Sequence, residues 1–259
     1  SAVAVAAALE CPCDIYTDVD GVYTTDPRIE SRARRLNRIS FEEMLEMASL
    51  GAKVLQTRSV ELAMAKQVPV RVLSSFIEPD ENGALPHEAG TLICDEEEIV
   101  EKRIVSGVTM SRDEARITLL GLSDRVDAPA DVFTRLAEAN VNVDMIVQSQ
   151  ARTAGTVNLT FTTGRRDAVR AADIMKAAQA DLAFEEIRVD EDVAKVSVVG
   201  VGMRSHAGVA QTMFKALADK GVKFQAISTS EIKISVLIDA AYAELAVRAL
   251  HSAYGLDAL

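Results

Sequence analysis

Apolar and polar positions alternate in changing rhythms along the chain. From Ser1 to Leu9 almost every residue is Ala or Val, which reads as a short buried helix. Asp14 to Thr17 reads as a strand that stops in a loop running to Arg28, rich in carboxylates and hydroxyls, with one glycine and one proline. A basic run from Arg32 to Arg38 follows. Ser40 to Glu43 has the form of an N-cap with an acidic first turn, opening a helix through Met47 and Leu50 that Gly51 closes. A helix over about Ser59 to Lys66, a β-branched strand from Val70 to Leu73, a polar loop from Pro79 to Gly90 and an apolar stretch from Thr91 to Cys94 complete this part. Helix and strand in alternation predict a parallel sheet covered by helices, and such sheets bind ligands beyond the ends of their strands. The acidic run Asp95 to Glu98 reads as a solvated linker face rather than a metal site.

From about residue 100 the pattern repeats. Arg116 to Gly121 corresponds to Lys195 to Gly200, and Leu136 to Asp144 to Leu217 to Gln225, so the offset grows from 79 to 81 residues. Each copy reads strand, glycine-ended loop, helix, strand, strand, helix, with a fainter last strand. The middle strands fall at Val141–Val147 and Thr156–Thr162, then at Val222–Ser228 and Ile232–Ile238. Helices follow at about Asp167–Ala178 and Ala241–Tyr254. The βαββαβ order is ferredoxin-like: an antiparallel sheet with both helices on one face. Neither copy holds a catalytic constellation. His206 and His251 have no partner at useful spacing and read as surface or capping residues. This half is expected to be a small-ligand sensor or an oligomerisation module.

Composition narrows the picture. Hydrophobic residues make up 49% of 259 and aromatics only 4%, so the cores are aliphatic. A net charge of -11 disfavours nucleic acid and anionic membrane surfaces as partners. Cys11, Cys13 and Cys94 are too few and too badly spaced for a disulfide framework or a zinc site, so a reduced, cytoplasmic protein is expected. The apolar opening lacks a basic leader and is too short to span a membrane. The chain opens without Met, and an upstream part is expected.

Five segments carry a family resemblance: YTDVDGVYTTDPR at 16–28, SFEEMLEMASLGAKVLQTRSVELA at 40–63, GVTMSRDEARITLLGL at 107–122, NVNVDMIVQ at 140–148 and STSEIKISVLI at 228–238. In this order they resemble aspartate kinase of the class regulated by lysine and threonine. The resemblance implies an amino-acid-kinase domain, whose C-terminal part would be residues 1–94. A linker at 95–106 and two ACT domains at 107–183 and 184–259 would follow. It implies phosphorylation of the side-chain carboxylate of L-aspartate by MgATP, the first step toward lysine, threonine and methionine, with no tightly bound cofactor or resident metal. The implied ATP contacts are Thr17, Asp18, Tyr23, Thr24, Asp26, Pro27, Arg28, Lys53 and Val54. The implied contacts to a lysine or threonine effector are Asp124, Asp127, Ala128, Asn142, Val143, Asp144 and Gln148 in the first copy. In the second copy they are Val209, Ala210, Lys223, Phe224 and Ser230.

Two departures matter. The family's KYGGS and GRGGSDT segments do not occur in the 259 residues, so the chain is expected to start inside the catalytic domain, to carry no catalytic residue and to be inactive alone. Many relatives read D-K/R-P-G before the first regulatory helix, where this chain has Asp124 to Asp127, so a negative charge stands where an effector carboxylate would approach. Asp127 is still expected to cap that helix. The alternative reading is a non-catalytic ACT-domain subunit that pairs with a full-length kinase. In either case the ACT modules are expected to pair between chains, making at least a dimer.

Overall fold

The computed structural model describes residues 2–52, 54–78, 89–99 and 103–258. Its first unit contains α1 (Ala2–Ala8), β1 (Cys13–Thr17), β2 (Arg38–Ser40), α2 (Phe41–Ser49), α3 (Thr57–Lys66), β3 (Val70–Ser74) and β4 (Thr91–Cys94). The strands form one sheet in the order β1-β3-β4-β2. β1 is parallel to β3 and β2 to β4, as the alternating pattern implies, whereas β3 and β4 are antiparallel. The sequence between β3 and β4 has a loop-like polar pattern with no helical period, so it gives no sign of the crossover that a parallel pairing needs. Residues 79–88 of that stretch lie outside the described residues. β2 was hidden in the basic run, being three residues long with one buried apolar side chain, Ile39.

α2 begins at a reciprocal capping box: the Ser40 hydroxyl accepts the Glu43 N–H and the Glu43 carboxylate accepts the Ser40 N–H. Its Phe41, Met44 and Met47 face the core, with Ile39, Val60 and Val72. The opening helix α1 is less buried than its composition suggested. Val3 and Ala6 enter the core, but Val5 and Leu9 are exposed.

The second unit contains β5 (Gly107–Ser123), α4 (Ala128–Glu138), β6 (Val143–Gln150), β7 (Thr156–Thr163), α5 (Arg165–Ala177), α6 (Gln179–Leu182) and β8 (Glu186–Val199). It continues through α7 (Val209–Asp219), β9 (Phe224–Thr229), β10 (Lys233–Asp239) and α8 (Ala243–Ala253). All six strands join one sheet, β6-β7-β5-β8-β10-β9. The fainter last strands now have an explanation: each is one half of a long strand shared by both copies. Residues 186–190 close the first copy against 116–120 and run on into the first strand of the second. The second copy's last strand is 107–111, paired with 195–199 and lying ahead of the first copy in sequence.

Where the two halves meet, β5 carries two register shifts around Glu114. Bulges bend a strand and increase its twist, and the two helix-free sheet surfaces meet across Met145, Val193, Ala226 and Leu237. Within this seam the Lys195 ammonium meets the Glu114 carboxylate at 2.6 Å and also the Asp144 carboxylate. Lys195 and Glu114 are buried. Burial opposes the charge on Lys195, but Glu114 and Asp144 outweigh it and hold the ammonium above the ordinary lysine range.

The units are packed on one another. Val199 of β8 enters the first unit's core. The buried Glu43 accepts hydrogen bonds from the Ser106 hydroxyl at 2.6 Å and the Val201 N–H at 2.9 Å. Gly51, with φ +113°, lets the end of α2 press on β5; a Cβ there would stand 2.4 Å from the Met110 carbonyl oxygen.

Candidate nucleotide site

β1 delivers Thr17 to the edge of the sheet, and the chain then folds back through a loop fixed by its own polar groups. The Val22 N–H donates to the Thr91 hydroxyl at 2.8 Å, and that hydroxyl donates to the Leu36 carbonyl at 2.6 Å. Gly21, at φ +153°, is required by that closeness, since a Cβ would lie 2.5 Å from Thr91 Oγ1. The Tyr23 hydroxyl donates to Asp20 at 3.0 Å, and burial followed by that carboxylate pushes the phenol up from its ordinary range. Asp26 takes Arg28 in a two-point pair, Nε at 3.0 Å and Nη2 at 2.7 Å, and the Arg28 hydrogen bond holds its carboxyl below the usual range.

The loop walls a cavity of about 1130 Å³, also lined by the end of α2 and by β5. The residues Thr17, Asp18, Tyr23, Asp26, Pro27, Arg28 and Val54 all line it. Lys53 lies outside the described residues. Thr24 does not line the cavity. It is fully buried and directed away toward α8, its hydroxyl 2.9 Å from His251 Nε2. The sequence reading missed the second unit's share of the lining: Met110 to Asp113 of β5, and Arg165 at the start of α5. Arg112, on a strand otherwise assigned to a ligand sensor, was the available signal. Among the described residues no group of three or more His, Cys, Asp or Glu side chains is arranged to hold a metal ion.

Against known proteins, the amino acid kinase family model matches residues 1–74 and an ACT domain model matches 196–254. The chain is 54% identical over 259 residues to an aspartokinase of Pseudomonas aeruginosa, covering 99% of this chain and 60% of that protein. Among solved structures, E. coli aspartokinase III in complex with aspartate and ADP aligns at TM-score 0.80 and 30% identity over 97% of this chain and 54% of that one. A chain from the crystal structure of aspartokinase alpha and beta subunits aligns at 43% identity and TM-score 0.55, over 58% of this chain and 98% of that one.

The chain belongs to the aspartate kinase family. It spans about 60% of the length of the curated aspartokinases it matches first.

The positions that the resemblance implies as effector contacts fall into two places. In the first copy Asp124, Asp127 and Ala128 stand where α4 begins, and Asn142, Val143, Asp144 and Gln148 on or beside β6, an edge of the sheet. Asp127 occupies the N-cap position but makes no side-chain cap hydrogen bond, which corrects the capping expectation. Its carboxylate faces Arg125 instead, and Arg125 binds Asp131 at 2.7 Å. Asp144 is committed to Lys195. In the second copy Val209 and Ala210 open α7 behind Gly208 (φ +98°), with no side chain capping the first N–H groups. Lys223 and Phe224 lead into the other edge strand, β9, and the Phe224 ring packs at a tilt of 36° on Phe214 with ring centres 5.2 Å apart. Ser230 follows β9 in the turn to β10.

His206 is exposed, as expected, and its Nδ1 lies 2.8 Å from the Gly202 carbonyl. His251 is neither a surface nor a capping residue. It is wholly buried, and burial pushes its imidazole below the ordinary histidine range.

Proposed function

We propose that this chain carries one wall of the nucleotide site, and the effector modules, of an enzyme that transfers the γ-phosphoryl group of MgATP to the side-chain carboxylate of L-aspartate. The observation that carries the reading is the convergence of Thr17, Asp18, Tyr23, Asp26, Pro27, Arg28 and Val54 on one cavity at the end of β1. The chemistry agrees. Phosphoryl transfer needs positioning and charge neutralisation more than covalent help, and the Arg28 guanidinium, oriented by Asp26, supplies positive charge at the loop. Asp18 and Asp20 suit ribose hydroxyls or waters around Mg²⁺, since the accepting carboxylate needs no general base.

On this reading the 259 residues bind nucleotide but do not phosphorylate aspartate unaided, because the glycine-rich segments of the resemblance do not occur among them. We divide the chain into kinase residues 1–94, a linker at 95–106 and ACT modules at 107–183 and 184–259, with strand 107–111 completing the second module. Lysine or threonine binds at the starts of α4 and α7, where backbone N–H groups receive the effector's carboxylate. The second module suits this better. The start of α7 is uncapped behind Gly208, whereas the start of α4 is ringed by Asp124, Asp127 and Asp131, with Val126 fully exposed. The edges β6 and β9, with Ile146, Phe224 and Ile227 exposed, pair with a second chain to make a dimer. Free cysteines Cys11, Cys13 and Cys94 suit a reduced cytoplasmic setting, and among the described residues no helix is long and apolar enough to cross a membrane.

A second reading, a non-catalytic subunit pairing with a complete kinase, draws on the match to one chain of the alpha and beta subunit structure. That match covers 58% of this chain, and the nucleotide loop with its cavity favours the first reading. Calorimetric titration with lysine and threonine, separately and together, tests the effector sites; no heat with either would refute them. An aspartate phosphorylation assay tests the rest, and measurable turnover by the 259-residue chain would sink the claim of inactivity.

A further inference from the structure

The nucleotide loop is gripped from behind by the last helix of the chain. Thr24 Oγ1 accepts the Arg34 N–H at 3.0 Å and lies 2.9 Å from Nε2 of His251, in the last turn of α8. The Thr24 carbonyl accepts the Val108 N–H at 2.8 Å. Beside this contact Arg32 reaches across the same junction to Asp257 at 2.6 Å and to the Ser252 hydroxyl at 2.9 Å. The imidazole is completely buried, and among the described residues its Nδ1 has no hydrogen-bond partner. A neutral ring meets Thr24 through Nε2 in either tautomer. A protonated ring would add a buried charged N–H with no acceptor at Nδ1.

We propose that His251 is a positioning residue for the nucleotide loop: it holds Thr24, and through Thr24 ties the cavity-lining stretch Tyr23–Arg28 to the C-terminal helix of the second ACT module. The proposal rests on the reading of the cavity as a nucleotide site, and it gives the regulatory half a direct mechanical hold on that site. The charged groups facing the ring are Glu30, Asp257 and Arg32; burial opposes protonation first, Glu30 and Asp257 favour it, and Arg32 opposes it. The hold therefore loosens as pH falls below the ordinary histidine range.

The test uses the full 259-residue chain, with amide hydrogen exchange over residues 22–36 and titration with a fluorescent ADP analogue, mant-ADP, as readouts. His251→Leu is expected to speed exchange at Arg34 and to weaken mant-ADP binding about tenfold, the scale of one lost buried hydrogen bond. His251→Gln, which can present a side-chain amide to Thr24, is expected to recover most of both. Wild type is expected to lose affinity and protection on acidification from about pH 7.5 to about pH 5.5, while the Gln variant stays flat over that range. Unchanged exchange at Arg34 in His251→Leu, or identical pH profiles for wild type and Gln, would overturn the proposal and leave His251 a core filler. If the Leu variant does not fold, the wild-type and Gln profiles decide. Absence of mant-ADP binding by wild type would overturn the nucleotide reading, and exchange at Arg34 would still decide the clamp.

Discussion

Replacing Glu43 by Ala should unseat the second unit from the first. Its carboxylate is buried and accepts four hydrogen bonds: from the Ser40 N–H at 3.2 Å, the Ser40 hydroxyl at 2.8 Å, the Ser106 hydroxyl at 2.6 Å and the Val201 N–H at 2.9 Å. The Ala variant loses the Glu43 half of the capping box, the bond from the Ser40 N–H, about 0.5–1.5 kcal/mol. It also leaves the Ser106 hydroxyl and the Val201 N–H without their acceptor, at about 1–3 kcal/mol each in a buried setting. Relief of the side-chain entropy of a fixed Glu returns up to about 2 kcal/mol. Taking the middle of each range, the net loss is about 4 kcal/mol, a large fraction of a typical domain's stability of about 5–15 kcal/mol. Glu43→Gln keeps one oxygen to face Ser106 and Val201 but turns an amide N–H toward the Ser40 N–H, so about half of the loss is expected. Urea unfolding followed by far-UV circular dichroism, with limited proteolysis of the linker as a second probe, measures both variants. An Ala variant whose midpoint and proteolysis rate match wild type would refute the claim that this carboxylate couples the units.

Other outcomes follow from the same structure. Lys195→Met strands Glu114 inside the seam between the repeats and should destabilise by about 3–5 kcal/mol, whereas pairing it with Glu114→Leu should recover much of the loss; a double variant no better than the single one would contradict this. Arg28→Ala should weaken nucleotide binding about tenfold while leaving thermal unfolding within a degree or two, since Arg28 is exposed and pairs only locally; calorimetry and differential scanning separate the two effects. Asp26 is held below its ordinary value of 3.8 chiefly by Arg28, so it binds fewer protons folded than unfolded. Its contribution is present above that ordinary value and is lost as pH falls through the folded one. Asp26→Asn should therefore flatten the acid limb of a pH–stability profile, and an unchanged limb would show that the pair is inert.

Much of this fold was legible because its signals are local. The N-cap and acidic first turn at Ser40 to Glu43 and the strand-ending loop after Thr17 are written within short windows, and the repeat shows as short segments that match one another. What the sequence hid depends on partners far away. The shared long strands could not be read because residues 107–111 pair with 195–199, far from any hairpin signal. Lys195 could have been noticed: it lies in register with the apolar or small positions Val193, Ser197 and Val199, so a charge there demanded a buried partner. Thr24 and His251 are 227 residues apart, and nothing in either neighbourhood announces the other. The family resemblance implied the same role for Thr24 as for Tyr23 and Asp26, and only the path of the backbone turns it the opposite way.

The most direct test of the nucleotide wall is photolabelling of the chain with azido-ATP, with the labelled peptides mapped by mass spectrometry. Label should concentrate on Tyr16–Arg28 and on the stretch from Gly51 to Val54, and excess MgATP should suppress it. Label that MgATP does not displace, or that falls on the far face of the sheet, would contradict the assignment of this cavity to nucleotide.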